Sequence, residues 1–345
     1  MSATETTLAA KHHWWWLLLL VAVGSVGIYL GAPDVAVVRT AWSRLAGVPV
    51  AAVAIVVGGA LGLVATEALR IRVIGRLVGA DVSPRDAWDA AVANHVMTAV
   101  TPQVGLGEPT VAYMLGKRGI AWDAAVAIPF TKFTTSLALV FVLGAGLVVA
   151  GLGPPARTWI SVALVAWFLA IAAATTLVIA VCSRPPTAHR WIASISGWFA
   201  RRRWFASAPW QARIASAAEV ATRTVDRLVA IRRPSWRGAA QLVAVHLVYY
   251  ASYIAPLVGL ALVLGDPPVG VLSLRALVFL CFTFAVPTPG GTGASEAAAG
   301  AFFADLVAPA DAIIIVAVFR AATFYLQLAI GALYLPIRSL ALSRQ

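Results

Sequence analysis

The chain has 345 residues, of which 61% are hydrophobic and only 12% are charged, and its formal net charge is +12. Soluble globular domains carry about 25% charged residues, so an ordinary soluble domain and a disordered chain are both excluded. The two cysteines, Cys182 and Cys281, also exclude a small domain built on disulfides. With a mean hydropathy of +0.87, the sequence predicts an all-α polytopic membrane protein with a single transmembrane domain over residues 1–345.

Six apolar segments are long enough to cross a bilayer, which takes about 20 residues. The first lacks a small-residue cleavage site and begins with three tryptophans at 14–16, which suit the membrane interface. It is therefore predicted to be a retained helix and not a signal peptide. The six predicted spans are Trp14–Leu30, Ala46–Ala65, Ala124–Ala150, Trp159–Val181, Ala239–Leu264 and Ala312–Pro336.

Two further apolar segments are interrupted by proline and glycine. The segment Ala87–Gly116 is broken at residues 101–107, and the segment Val269–Phe303 is broken at residues 287–293. Each half is too short to span a bilayer, and the interruptions free backbone groups that lipid cannot satisfy. Both segments are predicted to be re-entrant broken helices.

The distribution of basic residues predicts the orientation in the membrane. The segment 183–237 contains eleven arginines interleaved with tryptophans, and only two acids, Glu219 and Asp226. This basic amphipathic loop is predicted to form interfacial helices that lie along an anionic leaflet. The connections 265–269 and 304–311 contain acids but no Lys or Arg. With the basic clusters in the cytoplasm, both termini are cytoplasmic, and each broken segment must return to the side from which it enters. The other clusters are Arg70, Arg72, Arg76 and Arg85 after the second predicted span, and Arg338 and Arg344 in the tail.

The two broken segments resemble each other. Residues 101–108 and residues 288–296 both run from Thr-Pro through glycines to a glutamate, Glu108 and Glu296. Each is followed by an apolar helix with one deep basic residue, Lys132 or Arg320. Because they enter from opposite sides, the pattern predicts an inverted-topology repeat, with repeat one at about 46–150 and repeat two at about 238–337.

The four deep charges need partners or water, because a charge at the bilayer centre costs roughly 2.5–3.5 kcal/mol. One interpretation is that Glu108 pairs with Lys132 and Glu296 with Arg320, only to hold the fold. The other is a polar midplane cavity for a charged headgroup, in which the cations bind phosphate. The carboxylates would then hold the cations, bind an amine or carry a proton. The predicted substrate-binding residues are Asn94, Pro102, Glu108, Lys132, Pro289, Gly290, Gly291, Gly293, Glu296 and Arg320.

No pattern points to catalysis, a metal or a cofactor. The glycine strings lack the Gly-x-x-x-x-Gly-Lys-Ser/Thr spacing of a phosphate loop. His95 and His246 are predicted to be packed or hydrogen-bonded interior side chains, and neither cysteine has a metal-binding spacing. The sequence therefore predicts a protein that is not an enzyme and binds no nucleic acid.

Three segments together resemble the lysylphosphatidylglycerol synthase transmembrane family of flippase-like integral membrane proteins. Residues 286–296 are similar to its Pro-x-Pro-Gly-Gly-x-Gly-x-x-Glu signature, and residues 318–325 to the segment that follows it. Asn94 through Glu108 is similar to its first motif, and Lys132 matches a charged position. The resemblance covers about residues 12–340. One departure is Val111, where the family often has arginine, which leaves a phosphate contact there in doubt unless Lys117 or Arg118 substitutes.

The resemblance implies a lipid-translocating module in a bacterial or archaeal cytoplasmic membrane. It implies a stand-alone member that lacks the synthase domain, since the chain ends at Gln345. The expected lipids are anionic or aminoacylated phospholipids, polyprenyl-linked lipids or hopanoids. Two alternatives remain open, a non-catalytic membrane subunit for a lipid-modifying synthase and a lipid-headgroup transferase. The apolar faces would also accommodate a homodimer.

Overall fold

A computed structural model describes residues 34–45, 47, 49–101, 106–152, 158–231, 235–264, 267–286, 288, 291–303 and 305–342, together with residues 22, 25 and 26. This part of the chain is helical and contains no β-strand. A π-helical turn at Val148–Leu152 extends α5, a second one at Ala321–Tyr325 joins α12 to α13, and a short 3-10 turn at Arg203–Phe205 precedes α8. The helices are α1 Val35–Leu45, α2 Val50–Leu77, α3 Pro84–Val100, α4 Gly107–Lys117, α5 Trp122–Leu147, α6 Thr158–Cys182, α7 Pro185–Ala200, α8 Ala208–Ile231, α9 Trp236–Leu264, α10 Val269–Ala285, α11 Ala294–Phe303, α12 Pro309–Arg320 and α13 Leu326–Leu342.

Five helical segments of the described chain are long and apolar enough to cross a membrane. They correspond to five of the six predicted spans, and the protein is a multi-pass membrane protein. The first predicted span, Trp14–Leu30, lies almost entirely outside the described residues. The five segments are Val50–Leu77, Trp122–Leu152, Leu164–Cys182, Trp236–Leu264 and Pro309–Arg338.

Each broken segment forms a helical hairpin whose two ends meet. In the first hairpin, α3 and α4 pack against each other. Asp89, near the start of α3, receives a 2.8 Å hydrogen bond from Arg118, just after α4. In the second hairpin, α10 packs on α11, and Arg275 near the start of α10 pairs with Asp305 just after α11. The two ends of each hairpin therefore lie close together, and the predicted re-entry from one side of the membrane stays a prediction.

The second span is longer than predicted. Helix α2 continues to Leu77 instead of ending at Ala65, so Arg70, Arg72 and Arg76 lie in its last turns and not in a loop. Arg70 is buried and forms an ion pair with Glu67, one turn earlier on the same helix. It is consequently not a topology-determining loop residue, because its charge is neutralised inside the fold.

Helices α5 and α12, which carry Lys132 and Arg320, begin at opposite ends of the molecule. Arg44 at the end of α1 pairs with Asp311 in the first turn of α12 at 2.8 Å, just before α2 begins. Arg227 of α8 pairs with Asp123 in the first turn of α5 at 2.6 Å and donates to the carbonyl of Val78, immediately after α2. The 28 residues of α2 therefore separate the two starting points by about 42 Å.

Phenylalanines fix the second hairpin against α12. The ring of Phe279 on α10 lies 5.2 Å from Phe302 and 5.4 Å from Phe303 on α11. It also lies 5.9 Å from Phe319, the neighbour of Arg320. Such edge-to-face contacts restrain the rings as well as burying apolar area. The position of Arg320 relative to the hairpin is therefore set by a packed aromatic core.

The basic segment 183–237 forms helices α7 and α8, which pack against each other. Trp191, Trp198 and Trp204 are exposed there, as the predicted amphipathic character requires. Arg202 lies 4.3 Å above the ring of Trp198, a cation–π contact. The helical prediction for this segment is confirmed, and its contact with a leaflet stays a prediction.

Candidate functional site

Lys132 lies between two carboxylates from different helices. Its side chain is 1% exposed, and its ammonium contacts Glu67 of α2 as well as Glu108 Oε2 at 3.0 Å. Glu108 is the second residue of α4, and its side chain is 30% exposed. The predicted Glu108–Lys132 pair is thus present in the structure, and Glu67 is a further partner.

Glu67 and Arg70 complete a network of two anions and two cations. Arg70 approaches Glu67 to 3.2 Å, donates to Ser136 Oγ at 2.7 Å, and lies 4.0 Å above the ring of Tyr249. Neither residue was predicted from the sequence to be part of the site. A signal was available, because a Glu and an Arg three residues apart occupy one face of a helix.

Polar side chains surround this network on the buried side. Asn94 donates to Glu67 Oε1 at 2.9 Å, so the predicted site residue lies next to the charges. His246 lies 3.2 Å from the carbonyl oxygen of Lys132 and 2.7 Å from that of Leu242, which confirms the prediction of an interior hydrogen-bonded histidine. Within the described chain, Asn94 Oδ1 and His95 Nε2 are buried without a hydrogen-bond partner. Buried polar atoms are almost always paired, so these two could accept or donate to a polar ligand.

The second charge pair is more enclosed. Arg320 Nε donates to Glu296 Oε1 at 2.9 Å, a second guanidinium nitrogen donates to Thr292 Oγ1 at 2.7 Å, and both charged side chains are 2% exposed. The guanidinium carbon lies 4.5 Å from the centre of the Phe324 ring. Arg320 is followed directly by the π-helical turn 321–325, a feature often found at functional sites. The predicted Glu296–Arg320 pair is therefore also present.

The glycines of the second break shape the start of α11. Gly291 and Gly293 have φ angles of 72° and 87°, which favour glycine. The Gly293 amide donates to Glu296 Oε2 at 2.8 Å, and the Gly291 amide donates to the carbonyl of Thr288. Both amides are occupied by the protein itself, so Glu296 caps its own helix. The predicted site residues Pro102, Pro289 and Gly290 lie outside the described residues.

The two halves place their charges at the same spacing. Lys132 follows Glu108 by 24 residues, and Arg320 follows Glu296 by 24 residues. Asp123 and Asp311 each precede the basic residue by nine positions, and each pairs with an arginine from outside its own half. Three charged positions and their ion pairs therefore correspond between the two halves.

Aromatic side chains on α9 connect the two charge pairs. Tyr249, beneath Arg70, has its ring 5.9 Å from that of Tyr253, one turn along the helix. The Tyr253 ring lies 5.8 Å from that of Phe319, next to Arg320. The two charge pairs therefore flank one buried aromatic row instead of lying in unrelated parts of the molecule.

The departure at Val111 has a visible consequence. Val111 is fully buried, so a side chain at this position of α4 points into the protein. Arg118 bonds to Asp89 at 2.8 Å, and the Lys117 ammonium lies 5.7 Å from the Tyr113 ring centre. Arg118 is therefore committed to closing the first hairpin.

No group of three or more His, Cys, Asp or Glu side chains suited to a metal occurs in the described part of the chain.

The family model described as the lysylphosphatidylglycerol synthase TM region matches residues 3–331. The chain belongs to this family. The match includes both hairpins, both charge pairs and the basic segment, which confirms the resemblance inferred from the motifs. Comparisons with curated proteins and with solved structures found no match.

Proposed function

We propose that the protein moves a lipid with a charged, phosphate-containing headgroup across the bilayer, through a polar region next to the two charge pairs. Membership of a family named for lysylphosphatidylglycerol synthase supports a role with membrane lipids. The observation that carries the proposal is the repeated Glu–cation pair, which lies beside a helix break and has its cation buried in the protein interior. Ionisable residues inside a membrane are by default functional.

The first charge pair has one partner that can be exchanged. Glu67 and Lys132 are each 1% exposed, whereas Glu108 is 30% exposed on the same cation. A headgroup phosphate could replace Glu108 on Lys132 while Glu67 keeps the ammonium compensated. Glu108, once released, could bind an ammonium group of the headgroup or take up a proton.

The two hairpins support an inverted repeat. Each brings its chain ends together, and the helices that follow them, α5 and α12, start about 42 Å apart at opposite ends of α2. Transporters built from inverted repeats bind substrate where broken helices of the two repeats meet. Headgroups would cross at this junction while the acyl chains stay in lipid.

The test is leaflet exchange in proteoliposomes. The probes are fluorescent phosphatidylglycerol and phosphatidylethanolamine, with dithionite bleaching of the outer leaflet. Wild-type protein should bring inner-leaflet probe to the outside. Two charge-balanced variants, Glu108→Gln with Lys132→Gln and Glu296→Gln with Arg320→Gln, should fall to the rate of protein-free vesicles. Each removes one anion and one cation, so neither leaves an isolated buried charge.

A matched control is the exposed pair on α8. Glu219 and Arg223 lie 3.1 Å apart with side chains 65% and 55% exposed, and the double glutamine variant should exchange lipid like wild type. Folded charge-balanced variants that exchange lipid at the wild-type rate would show that the charge pairs are not the site.

We propose further that the lipid is translocated without covalent change, in a bacterial or archaeal cytoplasmic membrane with both termini in the cytoplasm. Mass spectrometry of lipid recovered from the vesicles should show an unaltered mass. A changed mass would instead favour a headgroup transferase. Exchange that appears only after a lipid-modifying synthase is added would favour a membrane subunit of that enzyme.

A further inference from the structure

A groove of about 420 Å³ lies between the beginning of α5 and helix α8, away from both charge pairs. Trp122 and Val126 of α5 form one wall, and Ala217 and Val220 of α8 form the other. Arg213 and Ser216 supply the polar groups on the α8 side. The size falls within the range of about 300–1,000 Å³ found for ligand sites.

Both walls of this groove are held in place by neighbouring contacts. A Cβ atom on Gly116 would lie 2.5 Å from the Trp122 ring, so the indole packs directly against the end of α4. The α8 wall is fastened to α5 by the Arg227–Asp123 ion pair at 2.6 Å, and Thr224 donates to the Asp123 carbonyl at 3.3 Å. The groove is therefore a preformed feature of the packed helices.

The charge of the groove selects an anionic amphiphile. Arg213 is exposed, lies 5.2 Å from the ring centre of Trp210, and forms no ion pair with a carboxylate of the described chain. The two acids of the segment are engaged elsewhere, since Glu219 pairs with Arg223 and Asp226 lies 3.0 Å from His189. An uncompensated guanidinium beside an apolar groove is suited to bind a molecule in which a phosphate is joined to an acyl chain.

We propose that this groove binds one anionic phospholipid as a resident ligand. The acyl chain would lie along Trp122, Val126 and Val220, and the phosphate would bind to Arg213 with Ser216 as a further donor. Lys132 lies ten residues further along α5, about 15 Å away, so this lipid occupies a site separate from the proposed translocation site. The site stands whether or not the protein translocates lipid.

The groove can be tested by lipid titration of the purified full chain in detergent. Native mass spectrometry would count bound phosphatidylglycerol and phosphatidylcholine in wild type, Arg213→Gln, Ala217→Trp and Arg223→Gln. One phosphatidylglycerol should bind more tightly than phosphatidylcholine. Arg213→Gln should weaken its binding about fivefold, the value of one basic residue near an anionic headgroup. Ala217→Trp should remove the bound lipid by filling the groove, and Arg223→Gln should change the affinity less than twofold.

A photoactivatable phosphatidylglycerol, with the reactive group in its acyl chain, would locate the lipid independently. Adducts should concentrate on residues 122–126 and 217–220. The proposal would be overturned if the protein held annular lipid only. Wild type and Ala217→Trp would then bind lipid equally, or the adducts would spread over α2 and α6. Equal losses for Arg213→Gln and Arg223→Gln would overturn it too, because they would indicate attraction to the whole basic surface.

Discussion

Lys132 contacts Glu67 and Glu108, while Glu67 also contacts Arg70, so each buried charge of the first half depends on at least one other. Removing one member of a buried ion pair typically costs about 3–5 kcal/mol, since it leaves an uncompensated charge. Replacing a whole pair by neutral groups of similar shape costs much less. The network can therefore be dissected by comparing single with paired substitutions.

Glu67→Gln should lower the free energy of unfolding by about 3–5 kcal/mol, because two cations would then share Glu108. Glu67→Gln combined with Arg70→Gln should cost less than the single change, since Lys132 keeps Glu108. Equilibrium unfolding in mixed micelles measures both. Glu219→Gln, at an exposed pair, should change stability by less than about 1 kcal/mol. A double variant at least as unstable as the single one would contradict charge balance as the cause.

The sequence alone predicted Glu108, Lys132, Glu296 and Arg320, because they occur in repeated surroundings. Glu67 and Arg70 lack that signal. The positions 188 residues later, the offset that relates the other charges, are Ala255 and Val258. Their role depends on Lys132, which is 65 residues from Glu67 in the chain and meets it only in the folded protein.

At the scale of elements, the proline and glycine interruptions predicted the positions of both hairpins. The hydropathy pattern, in contrast, predicted the wrong end for α2. The apolar run stops near Ala65, whereas the helix continues to Leu77. The extra turns are compatible with the interior because Glu67 and Arg70 are neutralised by each other and by α5. A hydropathy average over neighbouring residues places the end of the span at these charged residues, because it does not include Lys132 of α5, which pairs with Glu67 in the folded protein.

Glycine allows α2 and α9 to approach closely at Gly59. A Cβ on Gly59 would lie 2.3 Å from Pro256 Cγ, while one on neighbouring Gly58 would meet nothing within 4 Å. Gly59→Ala should therefore destabilise the protein by about 1–3 kcal/mol through overpacking. Gly58→Ala should stabilise it by about 0.5–1 kcal/mol through helix propensity. Thermal unfolding in detergent compares the two, and equal shifts would show that the helices do not pack at Gly59.

At the scale of the whole molecule, the sequence predicts an orientation because basic residues concentrate in a few connections. The contacts agree with one consequence of that assignment. Arg44 and Asp311, both predicted to be outside, meet each other, and Arg227 meets Asp123, both predicted to be inside. The partners themselves were not predictable, since each pair joins segments more than 100 residues apart.

Cysteine labelling can decide whether the first hairpin crosses the membrane. Three spans, α2, α5 and α6, separate exposed Ser43 from exposed Ser207, so an odd number of crossings puts these two residues on opposite sides. In a background with Cys182 and Cys281 replaced by alanine, Ser43→Cys should react with an impermeant maleimide only from outside. Ser207→Cys should react only from the cytoplasmic side of inverted vesicles, and both should react in detergent.

The same assay extends to the second hairpin if an epitope tag is placed after Gln345. Two spans, α9 and the α12–α13 helix, lie between Ser207 and the tag, so the tag should be protected or accessible together with Ser207→Cys. A fully crossing hairpin adds one crossing and reverses the result. Ser43→Cys and Ser207→Cys reacting from one side would refute re-entry of the first hairpin. Ser207→Cys and the tag on different sides would refute re-entry of the second hairpin. That result would also refute the predicted inverted arrangement of the two halves.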